Sequence, residues 1–213
     1  NPYLTFETNI RGTYCLMDAI RNSGNKIRSI VVASTDKSYG SYPKEQMPYK
    51  EDYPLIPKYP YDVSKACGDM IAQTYASEIF RLPVVVTRFC NIYGPGQLNF
   101  SAIIPDGIRS ALGYTKFIPR GDGTQVRDFI YVEDVSELYM LIGELLNNDP
   151  DRLTGEIFNA GTNVPHSVKN ILEMIFSLIG NTTELEEIIA LMKGRKTSGE
   201  IETQLMDFEK VNQ

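Results

Sequence analysis

Apolar residues recur at helical spacing through residues 3 to 21 (YLTFETNIRGTYCLMDAIR), and SGN then stops the pattern. The spacing predicts a long amphipathic helix. IRSIVVAS follows, a short apolar and β-branched run between polar residues, as expected of a strand buried on both faces of a parallel sheet. Residues 36 to 59 are rich in Pro, Tyr and charge and read as a long loop, a feature that in compact domains is usually functional or disordered. YDVSKACGDMIAQTYASEIFR restores a helical face, and LPVVVTRFC reads as a second buried strand. After a loop (NIYGPGQ) come a helix near 101 to 112, a short KFIP strand, a Gly-Asp-Gly turn, a DFIYV strand, an EDVSELYMLIGELLNN helix, a GEIFNAG strand and an SVKNILEMIFSLIG helix. Strand and helix alternate, which predicts an α/β fold with a parallel sheet. No internal repeat or low-complexity linker interrupts them.

Composition narrows the chemistry only slightly. The 213 residues are 42% hydrophobic and 23% charged, with a net charge of -6, and no basic stretch offers nucleic-acid phosphate contacts. No apolar run approaches the ~20 residues of a membrane helix, and no signal peptide opens the chain. Cys15, Cys67 and Cys90 lack CxxC spacing and read as reduced thiols of a cytoplasmic protein. The single His166 cannot by itself make a zinc site, so no metal is expected, and a solvent-exposed or capping role suits it.

Two short stretches carry reactive groups. Tyr61 and Lys65, in PYDVSK, stand four apart and so share one helix face. A phenol with a reference pKa of ~10 is a poor base at neutral pH, but a nearby ammonium stabilises its phenolate. Ser34, Thr35, Asp36 and Lys37 follow the IVVA run, and in open α/β sheets ligands sit beyond the carboxyl ends of strands. Asn91 closes the next strand. Read singly, Tyr-x-x-x-Lys is a common chance pattern and Thr-Asp-Lys a strand cap that starts a turn. Read together they form a site able to move protons.

The stretches TNIRGT (8–13), STDKSYG (34–40), PYDVSK (60–65), RFCNIYGPGQ (88–97), GDGTQVRDFIYVEDV (121–135) and EIFNAG (156–161) resemble, in order and spacing, the extended short-chain dehydrogenase/reductase family of nucleotide-sugar epimerases and dehydratases. The resemblance covers nearly the whole chain. Thr-Asp-Lys is similar to the 4,6-dehydratases, where CDP-glucose enzymes and an inverting UDP-N-acetylglucosamine group carry that triplet. SKAC and IIPDGIRSAL also resemble the CDP-glucose branch, whereas GDGTQVRDFIYVED is generic to the family.

The resemblance implies a Rossmann-like doubly wound parallel sheet with a small C-terminal α/β lobe. Residues 1–100 would be the second half of the NAD-binding domain and 101–213 mostly the substrate lobe, with 128–161 partly returning to the first. It also implies NAD as cofactor and a nucleotide diphosphate sugar as substrate. Tyr61 would take the 4-hydroxyl proton, while Lys65 depresses the phenol pKa and holds the nicotinamide ribose. Thr35 would bond the sugar O4, Lys37 remove the C5 proton, and a protonated Asp36 donate to the departing 6-hydroxyl. Thr8, Ser34 and the Cys90 backbone would line the nicotinamide end. Asn91 and Arg127 would hold the diphosphate, and Phe117, Ile118 and Pro119 would border the base. Arg127 has a plainer role open to it, an ion pair with Asp122 or Asp128. Asn9 is expected to support backbone, and Gly94 and Gly96 to serve turns. Helices 3–21 and 60–80 would form a homodimer interface or pack on the sheet. The glycine-rich phosphate fingerprint and the closing helices of relatives are missing, so the chain is expected to be a piece of a longer protein. A 4-epimerase, and a non-catalytic relative that only binds nucleotide sugar or a partner, stay open beside the dehydratase.

Overall fold

A computed structural model describes residues 1–24, 27–195 and 199–213. Its first helical run carries one irregularity. α1 (Pro2–Phe6) passes through a π turn (Glu7–Arg11) into α2 (Gly12–Asn22). Pro2 starts the helix where its missing N–H costs nothing. π turns gather at functional sites, and this one carries Thr8 and Asn9.

β1 (Ile30–Thr35), β2 (Val84–Phe89) and β6 (Ile157–Ala160) form a parallel sheet in the order β1–β2–β6. β1 pairs with β2 from Ile30–Val84 to Thr35–Phe89, so both strands end at the same level. All six residues of β2 are buried, and their alternation shows why the run has no polar period. Val84 and Val86 pack with Met17 of α2 and Ala72 of α3 (Pro60–Ala76). Val85 meets Ile142 and Leu146 of α5 (Val132–Asn148) on the opposite face. The α/β class and the parallel sheet are as the sequence pattern predicts.

Several boundaries differ from the pattern. α3 stops at Ala76, not Arg81: the Leu82 N–H reaches back to the Tyr75 carbonyl at 3.0 Å, and Arg81 turns the chain at φ 51°. KFIP forms no strand, because the Phe117 N–H donates to the Ser110 hydroxyl at 3.0 Å and its ring packs with Ala111, Leu172 and Phe176. NIYGPGQ opens with β3 (Asn91–Tyr93), parallel to β5 (Phe129–Tyr131). β4 (Val126–Arg127) pairs antiparallel with β7 (His166–Ser167). His166 is therefore half-buried in a strand, 6.4 Å from the Phe129 ring, and not an exposed or capping residue. Ser167 does the capping, in a reciprocal box with Asn170 at the start of α7 (Val168–Ile179). α4 (Ile103–Ala111), α7 and α8 (Thr182–Met192) enclose a separate apolar cluster around Leu172 and Phe176; the pattern reading does not mark α8.

The segment after residue 199 crosses back to the sheet. Gln204 N–H donates to the Val126 carbonyl at 3.1 Å, and Tyr49 N–H donates to the Leu205 carbonyl at 2.9 Å. Tyr49 also takes the Asp207 N–H at 3.0 Å. This segment is thereby threaded between β4 and the 36–59 loop.

Candidate active site

β1 ends at Thr35, and its hydroxyl caps the 3-10 turn of Asp36–Tyr39 by accepting the Lys37 N–H at 3.4 Å. The strand-cap reading of this triplet therefore holds for Thr35. The Thr35 hydroxyl donates to Asp36 Oδ1 at 3.0 Å. Asp36 is only 3% exposed, and among the described residues its Oδ2 has no hydrogen-bond partner. Burial pushes this carboxyl above the ordinary aspartate range, against the opposing charge of Lys37. The Lys37 amine donates to Gln204 Oε1 at 3.4 Å. Gly40 closes the turn at φ 78°, where a Cβ would strike the Ile56 carbonyl.

α3 carries the second half of the site. Pro60 occupies its first turn, and Asp62 faces the favourable end of the helix dipole. Tyr61 and Lys65 both face the strand ends. The Lys65 amine donates to the Ala33 carbonyl of β1 at 2.7 Å, and burial lowers its pKa against the pull of Asp69. The expectation that Lys65 depresses the Tyr61 phenol needs correction for this arrangement. Burial first, then Asp36 and Asp62, push that phenol up, while the Lys65 amine is committed to a backbone oxygen.

Two devices fix α3, one to the π turn and one to the sheet. Asn9 donates to the Ser64 hydroxyl at 2.9 Å, and Ser64 donates to the Tyr61 carbonyl at 2.7 Å. Asn9 thus supports a side chain of the Tyr61 helix, where neighbouring backbone was expected. Deeper, Arg88 of β2 meets Asp69 of α3 through two contacts, Nε to Oδ2 at 2.8 Å and Nη2 to Oδ1 at 3.1 Å. Arg88 also donates to the Tyr39 hydroxyl at 2.8 Å, and Tyr39 donates to Asn159 Oδ1 at 2.7 Å. The phenol of Tyr39 is pushed up to about 12 by burial. This network joins α3, β2, β6 and the turn that carries Asp36 and Lys37.

These elements border one cleft of about 580 Å³. Ser34, Thr35, Asp36, Lys37, Tyr61, Lys65, Cys90, Asn91, Phe117, Ile118, Pro119 and Arg127 all line it. Thr8 does not: it lines a side cavity of about 180 Å³, which meets the cleft at Lys65. The Cys90 N–H is spent on the Ala160 carbonyl at 3.2 Å, and burial raises its thiol far above the usual range. Asn91 Nδ2 donates to the Asp128 carbonyl at 3.1 Å. Phe117 is wall and core at once, while Ile118 stands 72% exposed at the rim. Arg127 pairs with neither Asp122 nor Asp128; its Nη2 reaches Glu200 at 3.1 Å and its Nη1 the Val126 carbonyl at 2.9 Å.

Sequence reasoning missed four residues here. Glu200 and Gln204 arrive from the 199–207 segment. Arg120 adds an exposed cation to the cleft wall. Asp128, fully buried, accepts the N–H groups of Thr162 at 3.0 Å and Asn163 at 2.9 Å and the Met206 N–H at 3.3 Å, tying the loop after β6 to the C-terminal segment. The Arg-Asp pair in QVRDF is the only local signal of that junction. Nothing in EIETQLM marks its approach to Lys37.

The cleft therefore sets a protonation-prone acid, an amine and a phenol beside one another, with cations farther along its wall. Comparisons with known proteins give the family. The profile of the NAD dependent epimerase/dehydratase family matches residues 1–161. The dTDP-D-glucose 4,6-dehydratase of Homo sapiens is 33% identical over 194 residues, which cover 89% of this chain and 52% of that protein. A dTDP-glucose 4,6-dehydratase of Bacillus anthracis, solved in complex with NAD, superposes with a TM-score of 0.80 at 31% identity, over 97% of this chain and 61% of that one. A UDP-glucuronic acid 4-epimerase of Bacillus cereus, solved with UDP-glucuronic acid and NAD, gives a TM-score of 0.78 at 26% identity, over 97% and 60%. The chain spans about half the length of the curated relatives it matches.

Proposed function

The chain belongs to the NAD dependent epimerase/dehydratase family, and on that premise we propose that the full-length protein is a nucleotide-sugar 4,6-dehydratase. It would convert a nucleotide diphosphate hexose to the 4-keto-6-deoxy form. The observation that carries the reading is Asp36, a buried carboxyl held toward its neutral form, next to an amine and opposite Tyr61 in one cleft. An epimerase has no use for an acid that donates to a leaving hydroxyl.

The residues fit the nicotinamide end of NAD. Thr8 lines the side cavity, Ser34 the cleft and Lys65 both, two hydroxyls and an amine that make a donor set suited to a ribose. NAD when bound supplies hydride acceptance from C4 and its return to C6. Tyr61, once its phenol is ionised, takes the proton of the 4-hydroxyl; burial and the acids that face it make that ionisation harder and the phenolate a stronger base. The resulting 4-ketone acidifies C5, and Lys37 takes that proton. Asp36 gives its proton to the 6-hydroxyl, which leaves as water, and Lys37 then returns a proton to C5. Thr35 orients O4 from the same strand end. Arg127 and Asn91 face the diphosphate, joined by Arg120, since guanidinium groups match phosphate oxygens. Phe117, Ile118 and Pro119 border the base. Residues 1–100 then serve the cofactor and 101–213 mostly the substrate, with 128–161 shared.

A homodimer through α1, α2 and α3 accompanies this reading. Met17 and Ala72 use the inward faces of these helices on the sheet, while Tyr3, Leu4, Leu16 and Met70 remain exposed at 60% or more. The nearby Asp62 supports the 4-epimerase as runner-up: burial pushes its carboxyl up and Lys37 pulls it down, and an acid–lysine pair of that kind suits a site that holds its sugar by hydrogen bonds.

The test is incubation of the full-length protein with CDP-, dTDP- and UDP-glucose, followed by mass spectrometry. A 4-keto-6-deoxy product, lighter by one water, is expected, with CDP-glucose the first candidate on the Thr-Asp-Lys triplet. Lys37→Ala should abolish elimination and spare substrate binding. Normal turnover by that variant, or a 4-epimer as sole product, overturns the assignment.

A further inference from the structure

Building on the dehydratase reading, we infer that Gln204 is a positioning residue for Lys37, supplying an uncharged acceptor that fixes the amine without holding it protonated. A lysine that removes a carbon-bound proton must first be neutral, and every carboxylate facing it opposes that state. The groups around Lys37 come from four elements. Asp36 lies on its own turn and is pushed toward the neutral acid by burial. Asp62 and Tyr61 face it from α3. Arg127 approaches from β4, with Glu200 of the C-terminal segment committed to that guanidinium. Among the described residues, Gln204 of the same segment accepts from the amine itself, through Oε1 at 3.4 Å.

The identity of this contact matters. A lysine amine in hydrogen-bonding orientation needs an acceptor, and the amide oxygen is one that carries no charge. A carboxylate there would form an ion pair and favour the ammonium. An apolar side chain would leave the amine free to swing. Gln204 is fully buried, and among the described residues its Nε2 has no hydrogen-bond partner. A buried, unsatisfied donor is a standing cost that leucine or methionine would avoid, so packing alone does not account for glutamine at this position. Backbone bonds on either side, Gln204 N–H to Val126 O and Tyr49 N–H to Leu205 O, fix where the side chain starts.

The experiment uses the full-length protein, its Gln204→Glu and Gln204→Met variants, and competitive acetylation by acetic anhydride. Mass spectrometry of the peptide bearing Lys37 reads the fraction acetylated against pH. In Gln204→Glu the midpoint should rise by roughly 1–3 pH units. The acid limb of the kcat profile should move by the same amount while KM stays put. In Gln204→Met, kcat should fall roughly 10–100-fold with KM unchanged, as expected when a reacting group loses its orientation. A Gln204→Glu midpoint equal to wild type, in protein with a native circular dichroism spectrum, overturns the inference; if that variant does not fold, an unchanged kcat in Gln204→Met does so. Acetylation does not require turnover. A wild type that dehydrates no nucleotide hexose, yet shows the shifted midpoint in Gln204→Glu, therefore removes the dehydratase reading and leaves the Gln204–Lys37 coupling standing.

Discussion

Asp69→Leu should be among the most damaging single changes in this chain. Arg88 is 2% exposed, and two of its contacts go to Asp69, at 2.8 and 3.1 Å. Removing the carboxylate leaves a buried guanidinium whose remaining hydrogen bonds, among the described residues, go to the Tyr39 hydroxyl at 2.8 Å and the Glu51 carbonyl at 3.2 Å. Hydrogen bonds to a charged group are worth about 1.5–3 kcal/mol each. Breaking a buried pair from one side costs about 3–5 kcal/mol, and the two estimates agree for two lost contacts. For a folded unit of about 150–250 residues the loss corresponds to a fall in Tm of roughly 6–20 °C. Urea unfolding of the full-length protein, followed by circular dichroism, reads the change in midpoint. The double variant Arg88→Met/Asp69→Leu removes both charges, and apolar replacement of a buried pair is often close to neutral. It should be no less stable than either single variant. Additivity of the two single changes within about 0.5 kcal/mol would refute the reasoning, because uncoupled residues behave in that way.

Two further predictions use the same site. Asp36 has a folded pKa above its unfolded value, so its contribution to stability is full below pH ~4 and is lost as pH rises through the folded value. Asp36→Asn has no such proton to lose and should gain on wild type by up to about 1.4 kcal/mol per pH unit across that window; a difference independent of pH in urea titrations from pH 4 to 8 would contradict the buried neutral acid. Gly161→Ala places a methyl against the Asp128 carboxylate and 2.8 Å from the Met206 Cβ. It should cost about 1–3 kcal/mol and expose the 199–207 segment to limited proteolysis, whereas unchanged cleavage would show that Asp128 does not hold that segment down.

Much of the fold was legible because its signals are local. VVVTRF lies between two helical layers, so it reads as an unbroken apolar run, and Pro60 marks the start of α3. The grouping of side chains at the end of β1 is legible for a similar reason: Thr35, Asp36, Lys37, Tyr61 and Lys65 fall within two short stretches, and all of them line one cleft. The pairings that depend on distant residues were not legible. Arg127 had two adjacent acids in view and chose Glu200, because the C-terminal segment runs alongside β4. KFIP looked like a strand, but a serine seven residues earlier took the N–H that a ladder would have used. Lys65 was expected to act on the phenol, yet the nearest acceptor for its amine was the strand beside it, a contact invisible without the position of α3 on the sheet.

The threading of residues 199–207 between β4 and Tyr49 also constrains the order in which the cleft can assemble during synthesis. By residue 161, where the family profile stops, a growing polypeptide already holds the triplet, the Tyr61 helix and the whole three-stranded sheet. Lys37 still lacks its amide neighbour at that stage, and Arg127 its counter-ion, because both emerge from the ribosome only some forty residues later. A fragment cut at that boundary would hold the three paired strands but leave the Lys37 amine and the Arg127 guanidinium without the partners that fix them, so trimming this protein to its recognisable family segment should loosen the cleft wall before it loosens the sheet.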